Sequence, residues 1–279
     1  MKPENTMKLD DIKLHWENWA REYETNLRAT TKTPTIKKLE INAIYKAIEN
    51  TPYRGGADID VLEVGCGNGY NCFALSELLD GFYFTGVDFV GDMIKNAEKI
   101  KLDNQSKFQR VDFRVGDLLK LDNDKNLKES YHFVFTDRCI INLNSVELHL
   151  KALDQLARKV KPGGYLIILE NINRTYQLNN NLRETVGLPP RNPASFNLFI
   201  DEEMFLAHAA KSLELIRIDD FGSLHDVVLY VLTPMINNGE VDYDHPMVKA
   251  AAELSAAVSG EYSFGSYGQN RLYLFRKTI

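Results

Sequence analysis

Cysteine is scarce in this sequence: Cys66, Cys72 and Cys139 are the only three in 279 residues. Three cannot all pair, and none sits in a CxxC or at zinc-finger spacing from a histidine. A disulfide-stapled scaffold and a zinc module are thereby excluded, and the three are expected as reduced thiols. Long apolar runs are also missing. The longest, such as Val227–Leu232, are too short to span a bilayer, and the opening MKPENTMKLDD has no apolar signal region. No membrane partner is expected, and the cytoplasm is the expected compartment. Positive charge is not in excess either, because 33 basic against 39 acidic residues leave a formal charge of −6. Nothing here would concentrate a phosphate polymer, so nucleic acid is not an expected partner. His132, His149, His208, His225 and His245 stand singly, with no pair at metal-ligand spacing, and no metal is expected. Repeats and low-complexity tracts are absent, and nothing specifies an oligomeric state.

What is present is an ordinary globular composition, 44% hydrophobic and 26% charged, long enough for one elaborated domain. Three zones differ in texture. In residues 1–56, Ile12, Trp16, Trp19, Tyr23 and Leu27 recur at helical spacing, as do Leu39, Ala43, Ala47 and Ile48. The polar stretch Arg28–Thr35 separates these two expected helices. From about 57 to 170, short apolar runs alternate with helical periods, the pattern of βαβ units on a parallel sheet. Strands are expected at Ile59–Val64, Phe82–Asp88, Val111–Val115, Tyr131–Thr136 and Tyr165–Glu170, with helices at Tyr70–Leu79, Asp92–Leu102 and Ser145–Val160. Residues 171–200 are a polar excursion with seven asparagines, three arginines and one acid. Asp201 then caps an expected helix to about Lys211. Leu213–Ile218, Val227–Leu232 and Arg271–Phe275 read as late strands, with a helix at Pro246–Val258.

The most informative stretch is LEVGCGNG, residues 62–69, a buried strand running into a glycine turn and then a helix. Gly65, Gly67 and Gly69 permit positive φ and a close approach of ligand to backbone. Tyr70 stands where a dinucleotide fingerprint would place its third glycine. Nineteen residues after Gly69, Asp88 ends the next strand, where a carboxylate can accept both hydroxyl hydrogens of a ribose. Asp117 ends the strand after that, where it can accept from an exocyclic adenine amine.

Taken in order, LEVGCGNG, GVDF, VGDLL and LARKVKPGGYLIILE resemble the motifs of class I S-adenosylmethionine-dependent methyltransferases, across about residues 57–170. The resemblance implies an α/β fold: a doubly wound, mostly parallel, Rossmann-like sheet of seven strands whose final strand is antiparallel. It further implies an N-terminal helical lid over 1–56 and a methyltransferase domain over 57–279. Residues 171–212, inserted after the fifth strand, would form a substrate-side cap. It implies S-adenosylmethionine as cofactor, with S-adenosylhomocysteine as product. By the same resemblance Glu63, Gly65, Gly67, Asn68 and Gly69 would lie beneath the methionine part, Asp88 would hold the ribose, Phe89 and Met93 would pack on adenine, and Asp117 with Leu118 would meet its edge. Tyr23, Arg28 and Arg138 are further candidates for cofactor contact. In the fourth strand His132 replaces an acid common in the family, while Asp137 closes the strand.

An oxygen nucleophile needs a base, and Asp137, Glu170 and His225 are the candidates. The excursion after the fifth strand emerges at the edge where substrates bind. Its asparagines and arginines suit a small polar acceptor that is hydroxylated, sugar-like or phosphorylated, with Asn179, Arg183 and Asn197 as candidate contacts. The same stretch loosely resembles methyltransferases of bacterial surface-polysaccharide pathways. N-methylation of a small amine or amino sugar, a nicotinamide-dependent oxidoreductase and a noncatalytic cofactor-binding protein stay open as alternatives.

Overall fold

The computed structural model describes residues 7–31, 33–258 and 264–278. Two helices open the chain, α1 (Leu9–Tyr23) and α2 (Pro34–Glu49), joined through a 3₁₀ turn at Leu27–Ala29. Thr33 caps α2 by accepting from the Thr35 N–H, and Pro34 supplies a pre-set φ in the first turn. There follow β1 (Ile59–Val64), α3 (Tyr70–Leu78), β2 (Phe82–Asp88), α4 (Gly91–Asp103), β3 (Val111–Val115), β4 (Tyr131–Asp137), α5 (Val146–Lys159) and β5 (Val160–Asn171). The second half holds α6 (Asn173–Thr185), α7 (Glu202–Ala209), β6 (Leu213–Asp219), α8 (Ser223–Val227), α9 (Thr233–Ile236), α10 (Pro246–Val258) and β7 (Asn270–Lys277).

The strands form one seven-stranded sheet in the order β3-β2-β1-β4-β5-β7-β6. β1 through β5 pair in parallel, and β7 lies antiparallel between β5 and β6. Winding reverses between β1 and β4. Their carboxyl ends therefore splay into a crevice where ligands bind in sheets of this kind. Helices cover both faces. Ile44, Ile48, Val61, Phe84, Phe133 and Ile167 belong to one buried layer, and Leu62, Val134, Leu153, Leu156 and Ile168 to the other. Among the described residues, no helix is long and apolar enough to cross a membrane.

One expected strand is corrected. Val227–Leu232 is not a strand. α8 runs through a π-helical turn at Val228–Leu232 directly into α9. Val228, Leu229, Tyr230 and Val231 are all buried, and a helix buried on every side shows no amphipathic period to tell it from a core strand. The polar excursion opens with α6, in which Asn179, Asn180 and Arg183 are buried. Those side chains go inside because they satisfy backbone groups. Asn179 Nδ2 donates to the Tyr267 carbonyl at 3.1 Å, Asn180 bonds both the N–H and the carbonyl of Arg191 at 2.9 Å, and Arg183 donates to the Pro189 carbonyl at 2.8 Å and to that of Tyr230.

Candidate functional site

A cavity of about 470 Å³ opens at the carboxyl ends of β1 and β4, a volume suited to small-molecule ligands. Its base is the glycine turn after β1. Gly65 and Gly67 have φ of 79° and 55°. A Cβ on Gly65 would fall 2.4 Å from Cys139 Sγ, and one on Gly67 would fall 2.4 Å from Thr30 Cγ2. Side chains are excluded at both positions, so the backbone itself forms the surface.

Asp88 closes one side. Its Oδ2 accepts from the Gly67 N–H and its Oδ1 from the Val90 N–H, each at 2.9 Å. Burial raises this carboxyl to about 6, against the lowering effect of those two N–H groups. Phe89 and Met93 continue the wall beside it.

The floor is a buried ionic network that joins five elements. Lys37 Nζ on α2 stands 2.5 Å from Asp137 Oδ2 and 2.8 Å from Glu40 Oε2. Arg138 Nε lies 2.9 Å from Glu40 Oε1, and Asn270 Nδ2 donates to the same oxygen at 2.8 Å. Asn71 Nδ2 is shared between Asp137 at 3.0 Å and Glu63 at 2.8 Å. Burial alone would raise Asp137, but Lys37 and Arg138 outweigh it and hold the carboxyl below its ordinary value. Glu63 has no cation in contact, and burial pushes it to about 8 despite hydrogen bonds from Cys72 and Asn71. Arg138 adopts φ 55°, a costly conformation for a non-glycine residue that the surrounding ion pairs hold in place.

Aromatic rings form the roof. His15 of α1 stacks on Phe196 at 4.2 Å, Trp16 meets Phe196 edge-on at 5.5 Å, and Trp16 Nε1 donates to Asn142 Oδ1 at 3.1 Å. α1 is anchored on α4, with Arg21 Nε donating to Asp92 at 3.0 Å and Asn96 to the Ala20 carbonyl at 2.9 Å.

Of the residues singled out from sequence, Glu63, Gly65, Gly67, Asp88, Phe89, Met93, Asp137, Arg138 and Asn197 line this cavity. The others are placed outside its lining. Asn68 ties the glycine turn to the Glu24 and Asn26 carbonyls, and Gly69 starts α3. Asp117 caps the 3₁₀ turn that contains Leu118 and pairs with Lys120. The Arg28 guanidinium lies 5.3 Å over the Tyr23 ring. Asn179 and Arg183 are committed to backbone carbonyls, as described above.

Glu170, fully buried, accepts from Thr136 Oγ1 and from the Cys139, Ile140 and Ile141 N–H groups, so it shapes the turn after β4 and does not face the cavity. Burial nonetheless raises it to about 7. His225 is also buried, yet hydrogen bonds connect it to the cavity. Its Nδ1 contacts Asp226 Oδ1 at 2.9 Å, its Nε2 contacts Thr35 Oγ1 at 3.2 Å, and Thr35 Oγ1 contacts Thr33 Oγ1 at 2.7 Å. Thr33 lines the cavity.

Several lining residues escaped the sequence reading: His15, Lys37, Asn71, Tyr176, Phe196 and Tyr230, whereas Arg191 is one of the excursion's arginines expected to meet a phosphate or carboxylate. One signal was available for Lys37. It and Glu40 interrupt the apolar stripe Ile36, Leu39, Ala43, Ile44, and charges on a buried helix face need partners. No such signal marks His15. Among the described residues no cluster of His, Cys, Asp and Glu could hold a metal.

A family model described as a methyltransferase domain matches residues 56–212. The chain is 28% identical over 169 residues to the ubiquinone biosynthesis O-methyltransferase of Rickettsia bellii, covering 59% of this chain and 65% of that protein. It is 27% identical over 157 residues to the arsenite methyltransferase of Homo sapiens, covering 51% and 41%. The matched stretch spans less than two thirds of each of these relatives. Among solved structures, the magnesium protoporphyrin IX methyltransferase of Synechocystis, with bound S-adenosylhomocysteine, superposes with a TM-score of 0.59 at 12% identity over 96% of this chain and 97% of that one. A TehB-like methyltransferase of Corynebacterium glutamicum superposes with a TM-score of 0.51 at 16% identity over 95% and 99%. These likenesses establish a shared fold, and the domain match covers more than half of the sequence. The chain belongs to the class I S-adenosylmethionine-dependent methyltransferases.

Proposed function

We propose that this protein transfers a methyl group from S-adenosylmethionine to a hydroxyl of a small polar acceptor. One observation carries the reading: a single cavity joins the side-chain-free glycine turn and Asp88 to a set of buried polar atoms that have no partner. Among the described residues, Asn71 Oδ1, Asn171 Oδ1, Tyr176 OH, Asn197 Oδ1, Asn270 Oδ1 and His15 Nε2 have no partner, and all belong to lining residues. Unpaired buried polar atoms are costly, and a polar ligand relieves that cost.

The residues present fit the cofactor. Gly65 and Gly67 leave room only for backbone contact, Asp88 keeps lone pairs beyond its two N–H bonds for ribose hydroxyls, and Met93 with Phe89 offers an apolar surface to a flat base. When bound, S-adenosylmethionine supplies a methyl group whose sulfonium charge already activates the leaving group. What the chain must add is position, exclusion of water and a route for the acceptor's proton.

His225 and two threonines supply that route. Asp226 also accepts the Gln269 N–H at 2.8 Å, and as a carboxylate it fixes the hydrogen of His225 on Nδ1. Nε2 is then the bare acceptor, Thr35 donates to it, and Thr33 donates to Thr35. Thr33 Oγ1 is left with a lone pair for the acceptor hydroxyl. As the oxygen takes the methyl group, its proton passes to Thr33, the Thr33 hydrogen to Thr35, and the Thr35 hydrogen to His225. Asp137 is less suited, because Lys37 and Arg138 already claim its charge.

Oxygen as the methyl acceptor accords with the name of the Rickettsia relative. The test is incubation with methyl-labelled cofactor and fractionated small-molecule extracts, followed by mass spectrometry of labelled products. Label on oxygen of a polar metabolite supports the proposal. Label on nitrogen, on carbon or on RNA defeats the acceptor reading and leaves the cofactor reading intact.

A further inference from the structure

Two arginines, Arg183 and Arg191, both contact Tyr230 at the α6 side of the cavity. Arg191 lies over the Tyr230 ring with its guanidinium carbon 3.3 Å from the centroid, and 5.3 Å from the centroid of Tyr176. Arg183 donates to the Tyr230 carbonyl. Burial first, and then the nearby charge of Arg191, holds Arg183 below its ordinary value. Among the described residues neither arginine forms an ion pair, and the one side-chain acceptor that meets Arg191 is Gln269 Oε1, at 3.0 Å. Two like charges in partial burial repel, and the molecule spends structure to keep them there. Asn180 holds the Arg191 backbone at both its N–H and its carbonyl. Among the described residues the buried hydroxyl of Tyr176, whose ring Arg191 flanks, has no partner.

We propose that Arg191, with the Tyr176 hydroxyl, forms an anion subsite for a carboxylate or phosphate group on the methyl acceptor. This rests on the methyltransferase reading of the same cavity and narrows its substrate to an acidic small molecule. A guanidinium carries five donors in a planar fork that matches both groups, and stacking on two rings holds the fork rigid before the ligand arrives. Only Arg191 lines the cavity; Arg183 is buried behind it as a second positive charge. The compensating anion is supplied by the ligand.

The cofactor's own carboxylate is the competing occupant, so the test is run with S-adenosylhomocysteine already bound. Calorimetry first measures S-adenosylhomocysteine binding to the full chain, the result on which the methyltransferase reading stands. Inorganic phosphate and acetate are then titrated, at constant ionic strength against chloride, into free and loaded protein. The side-chain Nε–H resonance of Arg191 is followed by NMR. Saturable binding of either anion to loaded protein is expected, tenfold or more weaker in Arg191→Gln and partly restored in Arg191→Lys. Tyr176→Phe, which removes an unpaired hydroxyl without touching packing, is expected to weaken it several-fold, and that variant guards against misfolding of Arg191→Gln. Phosphate and acetate distinguish the two anion classes by which saturates first. No saturable binding in either form, equal binding in all variants, or phosphate displaced by S-adenosylhomocysteine together with a tenfold loss of S-adenosylhomocysteine affinity in Arg191→Gln would each overturn the subsite.

Discussion

Asp88 Oδ2 accepts the N–H of Gly67 at 2.9 Å, so the acid at the end of β2 and the glycine turn after β1 form one hydrogen-bonded unit. Replacing Asp88 with Ala removes the proposed ribose acceptor and frees the turn. Cofactor affinity is expected to fall by about 1.5 to 3 kcal/mol, roughly tenfold to over a hundredfold, in a protein that stays folded. Unaltered affinity in a folded variant would place the ribose elsewhere.

The same carboxyl gives the affinity a pH dependence. Ribose hydroxyls donate to the ionised form, and Asp88 is raised to about 6 by burial. Affinity for S-adenosylhomocysteine should be level above that pH and approach a tenfold loss per unit below it. The Asp88→Ala variant should lack this fall. For folding the sign is opposite: a raised carboxyl contributes stability that is complete below its unfolded value and lost as pH climbs through about 6. A profile that falls on the alkaline side would assign the dependence to another group.

Glu170 is expected to be structural. Its carboxylate satisfies three backbone N–H groups in the turn that carries Arg138 and Asn142. Glu170→Ala strands them in a buried setting, at about 1–3 kcal/mol for each unsatisfied group, so urea denaturation should shift to markedly lower concentration. Wild-type stability with abolished turnover would instead give Glu170 a chemical role.

The hydroxyl chain to His225 separates chemistry from binding. Thr35→Val keeps the shape and breaks the relay, and His225→Gln removes its end. Both should lower kcat by about 10² to 10⁴, the usual range for general-base assistance. S-adenosylhomocysteine affinity should be unchanged, and Thr35→Ser should restore turnover. Normal kcat in Thr35→Val would remove His225 from the mechanism.

Residues 7–31 are proposed as a lid, because His15, Trp16 and Trp19 line the cavity from above. Amide exchange in this segment should slow when S-adenosylhomocysteine is added. Exchange indifferent to ligand would leave α1 a packing role alone.

Strands β1, β2 and β3 and helix α10 were legible to the residue, because each pairs a distinct apolar pattern with a clear stop, such as Gly65 after β1. Asp88 and Asp117 were placed at strand ends for the same reason, and the structure brings only Asp88 into the cavity lining. Legibility failed where burial was uniform or polar. Val228–Val231 is apolar on all sides of a helix, and Asn179 and Arg183 are buried because backbone carbonyls beside them need donors. The ionic floor joins Lys37 to Asp137, 100 positions apart. Local pattern carries no information about such a meeting; only the docking of α2 across the sheet creates it.

Parallel calorimetric titrations of the wild-type chain with S-adenosylmethionine and with NAD test the central claim most directly. Both ligands offer a ribose to Asp88, but only one suits a turn with Tyr70 in the third glycine position. One-site binding of S-adenosylmethionine, weakened at least tenfold in Asp88→Ala, with no heat from NAD, is the expected result. Binding of NAD with none of S-adenosylmethionine would contradict it.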